Sequence, residues 1–311
     1  MKALAIDLGG THANCAIVED NKILLSKRLD LDSAQGLGSV LPLFTSSFRE
    51  LMSEAGLATK DFAGLAMSTC GLVDSSRARI LSSPKKWDDA PGVDFVGWCW
   101  REFSLPMKME NDARMALMGE RYAGTAQGCN DLTMITLGTG IGTAVMIGGK
   151  LLHGKHFQAG NQGGHQPVVF NGRDCTCGGV GCAEAEAAGW ALPQIARDWP
   201  GFRESALAGE PAINYEMLFR LAAEGDAVAR QIQDRCIHVW AATAVGMIHA
   251  FDPEIVIFGG GVIESADLII PFVQAHVNAH TWSPWGKAQI RAAELGNDAG
   301  LLGAVPLLST K

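Results

Sequence analysis

The sequence predicts an α/β protein built from two similar halves that face each other across a cleft, each offering it a glycine turn. Short apolar runs separated by turn residues open the chain, which is strand chemistry. The same order of runs and glycine turns returns after residue 130. Stretches with apolar residues at helical spacing fill the intervals and the later part of the chain.

The opening strands are Ala3–Leu8, Ala13–Val18 and Ile23–Leu29. Gly9-Gly10-Thr11 joins the first pair and Glu19-Asp20-Asn21 the second, so the three form a meander. A helix is predicted over Leu37–Ala55 and a strand at Phe62–Met67. Met107 and Met109 alternate with Lys108 and Glu110 in a further strand, and Asn111 or Asp112 caps a helix over Ala113–Tyr122. The pattern then restarts with Asp131–Leu137, a Gly138-Thr139-Gly140 turn, Thr143–Ile147, a Gly148-Gly149 turn and Lys150–Leu152. Ile6–Thr11 lies on Ile135–Gly140, and Asn21–Leu24 on Gly149–Leu152, an ordered internal repeat. Leu218–Ala223 and Val228–Phe251 read as helices. Ile255–Phe258 is a buried-type strand that ends in Gly259-Gly260-Gly261, with a helix after it.

A net charge of -8 argues against a nucleic-acid footprint. No apolar run approaches the roughly 20 residues of a membrane span, and Asp7 comes too early for a secretory apolar region. Of the eight cysteines, Cys15, Cys70, Cys99, Cys129 and Cys236 are scattered, which fits a reducing cytoplasm better than a disulfide framework.

The other three, Cys175, Cys177 and Cys182, follow His165 in a glycine-rich run. One imidazole and three thiols form a soft ligand set suited to a closed tetrahedral Zn²⁺ site. Glu184 lies two residues after Cys182, and a structural metal would fix where it and His165 point. The glycine turns serve other chemistry. Gly9, Gly10 and Thr11, then Gly138, Thr139 and Gly140, let backbone N–H groups approach a polyphosphate, and Gly260 and Gly261 offer a third close approach, for the nucleoside. Asp7 is placed to hold Mg²⁺ directly or through water. Asp112 is either a plain helix cap or a base that accepts a proton from a substrate hydroxyl, with Asn111 orienting that hydroxyl. Glu110 is either a solvated strand-end charge or a minor contact, and the solvated charge is the expectation.

Taken together, Asp7–Thr11, Glu110–Glu120, Leu137–Gly142, His165 with Cys175–Glu184, Phe258–Val262 and Leu295–Ala304 resemble the ROK (repressor, ORF, kinase) family of sugar kinases over the whole chain. The resemblance implies an actin-like ATPase (ribonuclease H-like) fold of two lobes with an interdomain cleft. A smaller N-terminal lobe is expected over 1–113 plus 298–311, and a larger lobe with the zinc loop over 114–297. It also implies ATP, Mg²⁺, a structural Zn²⁺ on His165, Cys175, Cys177 and Cys182, and a homodimer. In the family's pattern Asp112 is the general base, and Asn111, His165 and Glu184 hydrogen-bond the sugar.

Three departures fall on the sugar side. Gln162 occupies the place of a usual Glu, Cys70 that of a Pro, and Ser83 that of an Asn. The first phosphate turn also ends in His12, where a Lys is frequent. The expected activity is ATP-dependent phosphorylation of a hexose or hexose derivative at its 6-hydroxyl. A catalytically weak sugar sensor of the same fold is the second reading. A DNA-binding regulator of the family is disfavoured, because Asp7 begins the phosphate turn at once.

Overall fold

The computed structural model describes residues 1–83 and 86–310; Pro84 and Lys85 of the run Ser83–Trp87, and Lys311, lie outside the described residues. The expected meander forms from β1 (Lys2–Leu8), β2 (His12–Glu19) and β3 (Lys22–Asp30), antiparallel throughout. Helix α1 (Leu37–Ala55) follows. Its buried stripe of Leu37, Val40, Phe44, Phe48 and Leu51 has the spacing of one helix face, and Gly56 at φ 66° ends it in the left-handed conformation that glycine adopts without strain. The next strand, β4 (Leu65–Thr69), starts later than the expected Phe62, because the Phe62 N–H closes a 3₁₀ turn on the Thr59 carbonyl at 3.2 Å.

A short hairpin of β5 (Leu72–Asp74) and β6 (Arg79–Ser82) and helix α2 (Phe95–Phe103) come next. Strand β7 (Met107–Asn111) runs straight into α3 (Asp112–Ala123), whose N-cap is Asn111: its Oδ1 accepts from the N–H groups of Ala113 and Arg114. The five-stranded sheet has the order β3-β2-β1-β4-β7, with β4 parallel to both β1 and β7.

A second five-stranded sheet comprises β8 (Leu132–Leu137), β9 (Ile141–Ile147), β10 (Lys150–Leu151), β11 (Ile255–Gly259) and β12 (Gln289–Ala292). Its order is β10-β9-β8-β11-β12, again an antiparallel meander whose first strand pairs in parallel with a later one. The two sheets share one topology, the three-dimensional counterpart of the internal repeat. Helices α4 (Ala183–Ala187), α5 (Leu192–Arg197), α6 (Tyr215–Ala223), α7 (Ala227–Phe251) and α8 (Ala266–His280) belong with this second sheet. The chain then returns to the first unit as α9 (Ala299–Leu302) and α10 (Ala304–Ser309).

Two compact units result, one of Met1–Gly128, His153–Ala159 and Asn297–Lys311, the other of Cys129–Leu152 and Gly160–Gly296. Each has its own core. Phe44, Phe48, Trp98 and Phe103 lie in the first, Tyr215, Trp240 and Phe258 in the second. The boundary expected at 113/114 would cut α3; the helix stays whole in the first unit, because Gly119 lets it close onto α9. A Cβ at Gly119 would lie 2.1 Å from the Ala299 carbonyl oxygen. Among the described residues no helix is long and apolar enough to cross a membrane.

The α3–α9 contact yields the first prediction. Gly119→Ala forces the two helices apart and lowers stability by about 1–3 kcal/mol, the usual cost of overpacking, readable as a lower urea midpoint. An unchanged midpoint would show that α9 shifts freely.

Candidate functional site

In the first unit the parallel pairing places Asp7 beside Ser68 and Ser68 beside Glu110, so the carboxyl ends of β1, β4 and β7 bring Asp7, Thr69 and Asn111 together. Ligands of open α/β sheets bind at such strand ends. Asn111 organises this edge. Besides capping α3, its Nδ2 donates to the Gly71 carbonyl at 3.0 Å and to Asp112 Oδ1 at 2.9 Å. Asp112 Oδ1 also accepts from the Ala113 N–H at 2.9 Å. Both bonds fall on one oxygen, which leaves Oδ2 to meet a proton. The side chain reaches solvent, yet the protein around it strips enough water to push its carboxyl up to about 6; the Asp7 charge adds to this, and the Ala113 N–H, Lys86 and Asn111 oppose it. Burial likewise raises the Asp7 carboxyl, against the Ser68 hydroxyl beside it.

The Gly9–Thr11 turn is held by Gly9 N–H on the His12 carbonyl at 2.9 Å and by Trp87 Nε1 on the Gly9 carbonyl at 3.0 Å. Lys86 lies across it: a Cβ at Gly10 would be 2.8 Å from Lys86 Cδ. Thr11 is exposed at the tip, its Oγ1 3.3 Å from His12 Nδ1. Ser83 is buried, with Oγ 3.7 Å from Cys70 Sγ, so it adjoins the Cys70–Gly71 loop that Asn111 also holds. Lys86 is a cation that sequence reasoning did not single out, since nothing in the pattern sets it apart from Lys85.

Glu110 corrects an expectation. It is fully buried rather than solvated. Its Oε1 accepts from the Asn111 N–H at 2.9 Å and from Arg114 Nη1 at 3.3 Å, and its Oε2 lies 2.6 Å from His153 Nε2. Arg114, also fully buried, donates through Nη2 to the carbonyls of Phe157 at 3.0 Å and Ala159 at 2.9 Å. A charge at a strand end reads as exposed unless its counter-ion is known, and His153 comes from a segment distant in sequence.

In the second unit Gly138 follows β8 directly and Gly260 follows β11. Gly260 has φ 85°, and a Cβ there would lie 2.2 Å from the Leu137 carbonyl oxygen, so only glycine fits. Around them is a cavity of about 680 Å³ lined by Gly138, Thr139, Trp190, Tyr215, Phe219 and Gly261, among others. At Gly138 and Gly261 a Cβ would meet nothing within 4 Å, so the backbone there faces open space. Gly140 backs onto Glu184 instead. Glu184 Oε2 accepts from the Ile141 N–H at 2.9 Å and Oε1 from Trp190 Nε1 at 3.2 Å, which pins this carboxylate to the glycine turn. The aromatic lining of Trp190, Tyr215 and Phe219 had no motif to announce it.

The ligand atoms of His165, Cys175, Cys177 and Cys182 all lie within 4.8 Å of one another. Cys177 and Cys182 sulfurs are 3.7 Å apart, and Cys175 Sγ is 3.6 Å from His165 Nδ1. A tetrahedral ion with zinc–ligand bonds of about 2.0–2.3 Å has edges of about 3.5–3.8 Å, so the donor set fits. His165 faces the cluster through Nδ1. Burial pushes the Cys182 thiol up to about 12, while the Gly179 N–H pulls Cys177 down. The loop is anchored by buried Glu186, which accepts from the Arg173 N–H at 2.6 Å and pairs with Arg235 on α7. Gln162 is exposed just before the short Gly163–His165 turn, its Nε2 3.4 Å from Asn161 Oδ1.

Known proteins resemble this chain along nearly its whole length. The family model described as ROK family matches residues 3–311. A glucokinase of Thermotoga maritima is 31% identical over 100% of this chain and 98% of its own. An N-acetylmannosamine kinase of Salmonella arizonae is 31% identical over 99% of this chain and 98% of its own. Among solved structures, a glucokinase from Streptomyces griseus in complex with glucose and AMPPNP superposes with a TM-score of 0.79 at 29% identity, covering 99% of each chain.

Proposed function

The chain belongs to the ROK family, and from that premise we propose that this ATP-dependent sugar kinase phosphorylates a hexose or hexose derivative at its 6-hydroxyl, with Asp112 as general base. The observation that carries the reading is the Asn111–Asp112 pair at the carboxyl end of β7, where Asn111 holds one carboxylate oxygen and leaves the other available. Asp112 takes the hydroxyl proton as the sugar oxygen bonds to the γ-phosphorus; the bond from that phosphorus to the bridging oxygen breaks, and ADP leaves with the electron pair. Asn111, His165 through Nε2, Glu184, Gln162 and Ser83 orient the sugar. Gly9, Gly10 and Thr11 are the proposed phosphate contacts of the first unit; Gly138, Thr139, Gly140, Gly260 and Gly261 are those the second unit offers a nucleotide, with the base in its aromatic-lined cavity. Asp7 is the residue for Mg²⁺, which neutralises phosphate charge. The homodimer that the resemblance implies and the cytoplasmic setting that the scattered cysteines suggest remain part of this reading.

Asp112→Asn is expected to lower kcat roughly 10²–10⁴-fold, the usual worth of a general base, with the melting temperature not reduced. Its folded-state carboxyl sits at about 6, and only the ionised form accepts a proton. Turnover therefore rises with pH through that value and levels off above it. Full activity of the variant in a coupled ADP-release assay would sink the assignment.

The cysteine cluster is proposed to hold structural Zn²⁺, which when bound closes the 166–182 loop. Elemental analysis should find one zinc per chain, and Cys182→Ser should lose it and lower the melting temperature. A chain stripped by chelator that melts unchanged would reject the site.

Gln162 bears on the choice of sugar. A carboxylate only accepts hydrogen bonds from a sugar, whereas an amide also donates, and an acetamido carbonyl welcomes a donor. N-acetylmannosamine or N-acetylglucosamine is expected to exceed glucose in kcat/KM; glucose as the best substrate of a sugar panel would overturn this.

A further inference from the structure

We propose that Glu110 is a positioning residue for phosphoryl transfer, joined with Arg114 and His153 in a buried network that sets the orientation of the Asp112 carboxylate. The proposal rests on Asp112 being the base. Glu110 side-chain exposure is 1% and that of Arg114 0%. A buried ion pair is a poor source of stability, because desolvation offsets the attraction, so its presence one residue from Asn111 calls for another role. The geometry points to one. Glu110 Oε1 holds the Asn111 N–H. Asn111 Oδ1 holds the N–H groups of Ala113 and Arg114. Arg114 returns its guanidinium to Glu110. Asp112 sits in the middle of this closed loop of hydrogen bonds, with its neighbours on both sides fixed.

His153 closes the network from outside. A carboxylate only accepts, so at 2.6 Å His153 Nε2 carries the hydrogen and donates it to Glu110 Oε2. Its side chain is 31% exposed. His153 begins the segment His153–Ala159, which interrupts the second unit and belongs to the first. The far end of that segment is held by Arg114 through Phe157 and Ala159. Loss of the His153 donor frees one Glu110 oxygen and loosens both the carboxylate and the segment. A misplacement of about 1 Å at a reacting group costs about 10²-fold in rate, so even partial loosening is visible in kcat.

The test is steady-state kinetics of the full chain carrying His153→Ala, His153→Gln or Glu110→Gln, each also combined with Asp112→Asn, with thermal melts alongside. Because Glu110→Gln leaves Arg114 buried without its counter-charge and risks misfolding, the partly exposed His153 variants carry the decision. His153→Ala should lower kcat about tenfold while KM for ATP and sugar stays near wild type. His153→Gln, which still offers an N–H to Glu110, should recover most of that loss. In the Asp112→Asn background His153→Ala should cost nothing further, since the residue it positions is gone. A folded His153→Ala enzyme with wild-type kcat overturns the proposal, as does a loss confined to KM or an equal loss in both backgrounds. If Asp112→Asn alone keeps full turnover, the base assignment fails and this proposal falls with it; if that variant is dead and His153→Ala is normal, only the positioning role falls.

Discussion

Parallel pairing of β4 with β1 and β7 is the constraint from which the first unit's chemistry follows. Parallel strands end on the same side, so the register that sets Asp7 beside Ser68 and Thr69 beside Asn111 gathers three polar strand ends at one edge. The second sheet repeats the arrangement with β8 and β11, and its strand ends deliver glycines rather than acids, Gly138 and Gly260. One topology used twice thus yields two kinds of edge: one that carries carboxylates, and one that exposes backbone beside an aromatic-lined cavity. Backbone N–H groups suit a polyphosphate because they approach closely and carry no mobile charge.

The strand–turn–strand starts were legible because alternation and glycine turns are local signals, and every strand of both meanders lies within two residues of expectation. The soft-ligand cluster was legible because the spacing of Cys175, Cys177 and Cys182 is itself local; His165, ten residues upstream, closes it to within 4.8 Å. What could not be read is what depends on partners remote in sequence. Glu110 looked solvated because Arg114 and His153 supply its charge balance only after folding. Lys86 gains meaning only from lying across Gly10. The cavity walls Tyr215 and Phe219 lie on an amphipathic helix, and no one-dimensional pattern tells a wall from a core face. The unit boundary was misplaced for a similar reason, since the contact that keeps α3 with the first unit involves α9, far along the chain.

The two buried acids that flank the site residues solve one problem in the same way. Glu110 precedes Asn111 and Asp112, and Glu186 follows Glu184; both are fully buried, and each faces an arginine. Apolar residues would fill these places at less desolvation cost. They would not satisfy the loops that pass beside them. Arg114 takes the carbonyls of Phe157 and Ala159, and Glu186 takes the Arg173 N–H at the start of the cysteine loop. Irregular segments carry backbone polar groups that no sheet or helix pairs, and a buried one left unmet costs about as much as a lost hydrogen bond. A charged pair has donors and acceptors to spare for them. Each ion pair lies within one unit, and it serves less to stabilise that unit's fold than to hold irregular backbone still beside the candidate site residues.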